Sequence, residues 1–404
     1  MNAVAQPKGG DTTAIRPFHV KVVPESELSD MRKRIQATKW PDKETVSDAT
    51  QGIQLASIQA IAAYWASEYD WRKVEARLNA LPNYVTEIDG LDIHFIHVRS
   101  KHENALPIIV THGWPGSIVE QMKIIEPLTN PTAHGGNASD AFHVVIPSIP
   151  GYGYSAKPTA PGWDAPRIAR AWTTLMQRLG YTKYVAQGGD WGAVVTEQMG
   201  VQAAPGLLAI HTNMPGAIPN DINNAAFSGA QSPVSLSAEE KACYDELLFV
   251  YSKGIGYAFQ MGLRPQTLYG IADSPVGLAA YLLDHDARSY KLIAGAFAGK
   301  PSGISRDDFL DNITLTWLTN TGVSSGRLYW ENKLGFFNQK GVKIPVAVTV
   351  FPDELYPTPR SWAEQAFPKL IHYNKVDHGG HFAAWEQPKI FTEELRASFK
   401  SLRS

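Results

Sequence analysis

The stretch VAQGGDWGAVV, residues 185–195, constrains the fold of this chain more than any other. A β-branched run stops at a glycine pair, and a helix-compatible stretch starts directly after it. Gly188 and Gly192 stand two positions either side of Asp190. A strand that turns sharply into a helix while holding one side chain clear of the turn needs small flanks, because the central backbone is strained and neighbouring Cβ atoms would clash. This is the pattern of a nucleophile elbow, written G-x-S-x-G when the nucleophile is serine. Here the central residue is an aspartate. The plainer reading is an aspartate that caps the following helix, so the spacing alone decides nothing until a base and an acid follow in order.

The surrounding chain supplies the setting. "LPIIVTHGWPGS" and "FHVVIPSIPGYGYS" each read as a buried-type strand running into a Gly/Pro-rich loop, "ARAWTTLMQRLG" as an amphipathic helix stopped near Gly180, and "KYVAQ" as the strand before the elbow. Strand, loop, helix and strand in this order argue for an α/β fold with a mostly parallel sheet and helices on its faces. Before it, "SIQAIAAYWASEYDWRKVEARLNAL" has helix-spaced apolar residues, and "YVTEIDGLDIHFIHVRS" alternates around Asp89-Gly90 as a hairpin does. From 216 the rhythm breaks into helical patterns without strands, and the α/β pattern resumes at "KIPVAVTVFPDELYP". The expected organisation is a disordered lead over 1–17, an N-terminal, mainly helical segment over 18–90, core over 91–215, an inserted helical cap over 216–335, and core again over 336–404. The 404-residue length suits a core with an added layer.

Bulk properties exclude several classes. A formal net charge of −2 gives no electrostatic case for nucleic acid or an anionic membrane surface. The single cysteine, Cys243, cannot form an internal disulfide. No apolar run reaches the length of a membrane span, and the N-terminus lacks the apolar core of a secretory signal. The expectation is a cytoplasmic protein without membrane association.

If Asp190 is a nucleophile, a histidine and a second carboxylate should follow it in that fold's order of nucleophile, acid, histidine. "DHGGHFAAWEQP" offers His378 and His381; His381 follows two glycines that permit close approach, whereas His378 sits in a polar turn. His94 and His97 alternate on a strand, and His285 lies among charges of the cap. "VFPDELYP" offers Asp353 and Glu354, and pattern alone does not choose between them; Asp377 sits too near the histidine to be the obvious orienting acid. "HGWPG", 112–116, can aim backbone N–H groups at a developing oxyanion, Trp114 from this loop and Trp191 from the residue after Asp190. A carboxylate nucleophile suits displacement at saturated carbon. The ester it forms is hydrolysed at the aspartate's own carbonyl. Two leaving groups fit: a halide, held by donors such as indole N–H, or an epoxide oxygen, which needs an acid. The many cap tyrosines could supply that acid, and periodicity does not select among them.

At these residues the sequence resembles the microsomal-type epoxide hydrolases, a branch of the α/β-hydrolase superfamily. "DWRKVEARLNALPNYVTEIDGLDIHFIHVRS" is similar to that branch's N-terminal meander, and "HGWPGS", "PGYGYSAKP", "GGDWG", "DSPVGLAAYLLD" and "GGHFAAWEQP" are similar to its motifs. The resemblance implies Asp190 as nucleophile, His381 as base, Glu354 as its acid, and Tyr257 and Tyr329 as the lid tyrosines that hold the epoxide oxygen. It implies a small epoxide and water as partners, vicinal diols as products, and no cofactor or metal. The microsomal membrane anchor has no counterpart here, which matches the soluble members. Detoxification and epoxide catabolism both fit such a reaction. A homodimer is the default expectation. A haloalkane dehalogenase on the same fold is the alternative; against it, Trp114 stands where dehalogenases often carry asparagine.

Overall fold

A computed structural model of the chain describes residues 11–403. Among the described residues, nine strands form one sheet: β1 (Arg16–Pro17), β2 (Asn83–Ile88), β3 (Leu91–Val98), β4 (Leu106–Thr111), β5 (Phe142–Pro147), β6 (Tyr184–Gly188), β7 (Leu207–Thr212), β8 (Val346–Val350) and β9 (Leu370–Lys375). Their order is β1-β2-β3-β5-β4-β6-β7-β8-β9. Strands β4 to β9 pair in parallel, whereas β1, β2 and β3 add antiparallel strands at one edge. Strands β6 and β8 are buried at every position, as strands covered on both faces must be.

The parallel strands bring their carboxyl ends to one side of the sheet, where loops from open α/β sheets build sites. The loops after β4, β6, β8 and β9 carry Trp114, Asp190, Glu354 and His381. The elbow helix Trp191–Gln202 is buried over its first ten residues, so it packs as a core element rather than as an amphipathic surface helix.

Cap helices cover that side. A short parallel bridge between Ile218 and Asn338 closes the neck where the chain leaves the core and returns. Within the cap, Ser237 with Glu240 and Ser305 with Asp308 form reciprocal capping boxes that start helices Ala238–Phe249 and Arg306–Leu318.

The N-terminal segment folds as helices Glu25–Gln36, Leu55–Ser67 and Trp71–Asn79, followed by β2. It also grips the cap. Trp65 donates its indole N–H to Thr314 at 2.9 Å, Tyr69 donates its hydroxyl to Asp311 at 2.8 Å, and Arg77 pairs with the same carboxylate.

One expectation needs correction. Of the lead taken as disordered over 1–17, residues 1–10 lie outside the described residues, but 11–17 are ordered. Arg16 and Pro17 pair with Val85 and Tyr84, and the Arg16 guanidinium bonds Asp92 at 2.7 Å. The two-residue strand carries no alternation a pattern search could detect. Pro17, which has no N–H to donate, is tolerated because β1 is the sheet edge.

Candidate active site

The elbow is built as the glycines require. Asp190 has φ 51° and ψ −127°, a conformation rarely adopted by residues with side chains. A Cβ on Gly188 would lie 1.9 Å from the Gly192 carbonyl oxygen, and a Cβ on Gly192 would lie 2.0 Å from the Thr111 carbonyl oxygen. Helix, strand β6 and strand β4 therefore meet backbone to backbone. Asp190 precedes the helix, yet its side chain makes no capping bond there. It points instead towards the loop after β4, where the Trp114 backbone N–H donates to Oδ1 at 2.7 Å. That loop approaches so closely that a Cβ on Gly113 would meet Asp190 Oδ1 at 2.4 Å.

The other carboxylate oxygen, Oδ2, faces histidine. His381 Nε2 lies 3.5 Å from it, and His381 Nδ1 bonds Glu354 Oε1 at 2.6 Å. Glu354 is buried, and its backbone carbonyl accepts from Arg288 of the cap at 2.5 Å. The adjacent Asp353 points outwards, with its side chain 58% exposed near Arg288. His378 and Asp377 are exposed. The geometry thus separates pairs that the residue pattern left open.

The aromatic wall comes from core and cap together. Trp114 stacks on Tyr257 with ring centroids 4.8 Å apart and meets Tyr329 edge-on at 5.9 Å. Trp191 packs edge-on against Tyr329 at 4.8 Å and against Phe336 at 4.7 Å. Its indole is therefore part of the wall, in addition to its position as first residue of the elbow helix. A cavity of about 20 Å³ lies under the site, lined by Asp190, His381, Glu120, Gln187 and Asn213 among others. That is room for one water-sized molecule.

One residue at the site was missed by sequence reasoning. His285, set aside among cap charges, is 1% exposed and places Nε2 3.7 Å from Asp190 Oδ2. Its ring lies 4.2 Å from that of His381, and its Nδ1 bonds Asp286 at 2.8 Å. Asp286 also caps helix Ala287–Phe297 through the Ser289 N–H. A His-Asp pair at a helix start reads as capping chemistry. Only the fold of the cap reveals that it faces Asp190.

With this geometry in hand, the comparisons with known proteins are specific. A family model for the epoxide hydrolase N terminus matches residues 15–121, and one for the alpha/beta hydrolase fold matches 107–233. The chain is 50% identical over 394 residues to a Stigmatella aurantiaca protein designated a candidate epoxide hydrolase, covering 96% of this chain and 86% of that one. It is 34% identical to Epoxide hydrolase 1 of Oryctolagus cuniculus over 97% of this chain and 90% of that one. The chain belongs to the epoxide hydrolase family. Among solved structures it is similar to juvenile hormone epoxide hydrolase of Bombyx mori, with TM-score 0.83 and 28% identity over 97% of this chain and 95% of that one. It is also similar to the Aspergillus niger epoxide hydrolase, with TM-score 0.81 and 30% identity over 96% and 97% of the two chains. Among the described residues, no helix is long and apolar enough to cross a membrane.

The electrostatics of this cluster follow from burial and pairing. Burial raises the Asp190 pKa, but the His285 and His381 imidazoles that face its Oδ2 outweigh it and hold the carboxyl well below the usual carboxylate range. Burial opposes a charge on His381, yet Glu354 and Asp190 together raise its pKa well above that of free histidine. Burial, with the Asp190 charge next, keeps Tyr257 and Tyr329 well above the ordinary phenol range, so both hydroxyls are proton donors at neutral pH. Burial also pushes the Glu120 carboxyl up to about 8.

Proposed function

We propose that this epoxide hydrolase opens its substrate with Asp190 and hydrolyses the resulting ester with His381. The observation that carries the reading is the division of labour on Asp190: Oδ1 is tied to the Trp114 N–H, and Oδ2 faces histidine. Oδ2 attacks an epoxide carbon while the Tyr257 and Tyr329 hydroxyls donate to the ring oxygen, so that an alcohol rather than a bare alkoxide forms. The C–O bond of the ring breaks as the Oδ2–carbon bond forms, giving an alkyl ester on Asp190.

Ester formation removes the negative charge of Asp190. His381 then loses one of the two anions that favour its protonated form, and its proton passes to the tyrosinate left by ring opening, which leaves His381 as a base. Oriented by Glu354, it takes a proton from a water beside the ester, and the small polar cavity under the site suits that water. Attack at the Asp190 carbonyl carbon places the oxyanion at the Trp114 N–H and, by its place after the nucleophile, at the Trp191 N–H. Collapse releases the diol with Oδ2 and restores the carboxylate. The family assignment decides against the dehalogenase alternative.

The test separates the two half-reactions. Asp190→Asn should lose turnover of styrene oxide. His381→Gln should form the ester but fail to release it, so intact mass spectrometry after one turnover should show a shift equal to the mass of the epoxide. An active-site-loaded His381→Gln sample with no adduct would sink this mechanism.

A further inference from the structure

We infer that Asp190, His285 and His381 form a binding site for a borderline divalent cation such as Zn²⁺, and that occupancy of this site blocks the enzyme. The site goes beyond the proposed reaction, which uses no ion. One ligand atom from each of the three residues lies within 4.8 Å of the others. His381 Nε2 and His285 Nε2 stand 3.5 and 3.7 Å from Asp190 Oδ2. Tetrahedral zinc, with bonds of about 2.0–2.2 Å to nitrogen and oxygen, sets its ligands roughly 3.3–3.5 Å apart. The two measured edges therefore need to close by only a few tenths of an ångström.

Three further observations point to a ligand here. Both Nε2 atoms are buried without a hydrogen-bond partner and face the same carboxylate oxygen. Each Nδ1 is bonded to its own carboxylate, Asp286 at 2.8 Å and Glu354 at 2.6 Å. Carboxylate backing orients each ring and favours the tautomer that leaves Nε2 free to ligate, the arrangement characteristic of metal-bound histidines. Finally, three carboxylates crowd two imidazoles, with side chains 7% exposed at Asp190, 8% at Asp286 and 2% at Glu354. A dication is matched to that number of buried carboxylates around one point.

Occupancy would be inhibitory for a direct reason. The ion would hold Oδ2, the attacking atom, and His381 Nε2, the atom that takes the proton from water. Neither half-reaction could proceed. His285 is what turns an ordinary two-residue contact into a three-ligand site, so it is the residue to change.

Enzyme stripped with EDTA and dialysed against micromolar ZnCl₂ should retain one zinc per chain beyond that held by His285→Gln dialysed alongside. Wild-type hydrolysis of styrene oxide should fall at least tenfold under the same conditions and recover on adding EDTA. In His285→Gln, each rate being compared with the same protein in EDTA, the zinc needed for half-inhibition should rise at least 30-fold. Asp286→Asn keeps both ligating nitrogens but removes the backing carboxylate, and should weaken binding about tenfold, at the low end of the effect expected for such a partner. Equal zinc retention by wild type and His285→Gln, or a wild type insensitive to millimolar zinc, overturns the proposal. Retention is read without turnover, so failure of the ion site and failure of the reaction mechanism are distinguishable.

Discussion

At the scale of single residues, the site depends on positions where no side chain fits. Gly113 is the sharpest case, because its missing Cβ is what lets the loop after β4 reach Asp190. Gly113→Ala would set a methyl group 2.4 Å from both Cβ and Oδ1 of Asp190, so either the loop or Asp190 must withdraw. Either movement breaks the Trp114 N–H bond to Oδ1. Loss of one such donor typically costs about 10²–10³ in kcat. We expect a fall of at least 100-fold in single-turnover ester hydrolysis, while the thermal midpoint moves by only a few degrees. A rate within threefold of wild type would show that the loop does not position the oxyanion. Residues of this kind were legible in the sequence because backbone strain and close approach select glycine at fixed spacing, as at Gly188 and Gly192. His285 was not legible, since its neighbour Asp286 has a sufficient local role as helix cap. Which way the imidazole points is decided by contacts between segments about a hundred residues apart. The choice between Asp353 and Glu354 is similar: adjacent residues on one loop diverge, and only packing shows that one is buried on His381 and the other faces solvent.

At the scale of elements, the cap helix Arg306–Leu318 is a shared strut. The N-terminal helices hold it through Trp65, Tyr69 and Arg77, and on the core side Asn312 donates to the Pro115 carbonyl at 2.8 Å. Pro115 directly follows Trp114, whose backbone and ring both serve the site. The N-terminal segment thus reaches the loop after β4 through one intervening helix. Trp65 is fully buried, and truncating a buried tryptophan costs roughly 3–5 kcal/mol. Trp65→Ala should lower the unfolding midpoint and increase proteolytic cutting in the cap, read by limited proteolysis below the unfolding temperature. Trp65→Phe, which loses the Thr314 bond but keeps most of the ring, should lie between the two. Unchanged protection of the cap in Trp65→Ala would separate the N-terminal segment from cap anchoring. The helices themselves were legible, since their apolar spacing and caps are local. Their partners were not: Trp65 and Thr314 are 249 positions apart, and nothing in either stretch names the other.

At the scale of the whole molecule, the site imposes a pH dependence on folding. Burial raises the Glu120 carboxyl to about 8 and the Glu386 carboxyl to about 7, whereas in an unfolded chain glutamate titrates near 4.3. Both lie beside His381: Glu120 lines the cavity with it, and Glu386 accepts the N–H of the next residue, Phe382, at 3.0 Å. Between those values the folded protein keeps protons that the unfolded chain has released. The native state then binds more protons, so the slope of unfolding free energy against pH is negative. The stabilising contribution is complete below about 4, declines through neutrality and is lost above about 8. Integrated over that window it amounts to at most roughly 4–5 kcal/mol per group. Glu120→Gln provides the check, because an amide has nearly the shape of the protonated acid and can still accept from Gln121 at the Oε1 position. Its thermal midpoint should match wild type at pH 5 and exceed it by several degrees at pH 9. A variant less stable than wild type at pH 9 by the same margin as at pH 5 would mean that Glu120 is charged in the folded state throughout. Its buried oxygen near Gly116 would then require a cationic partner rather than a proton.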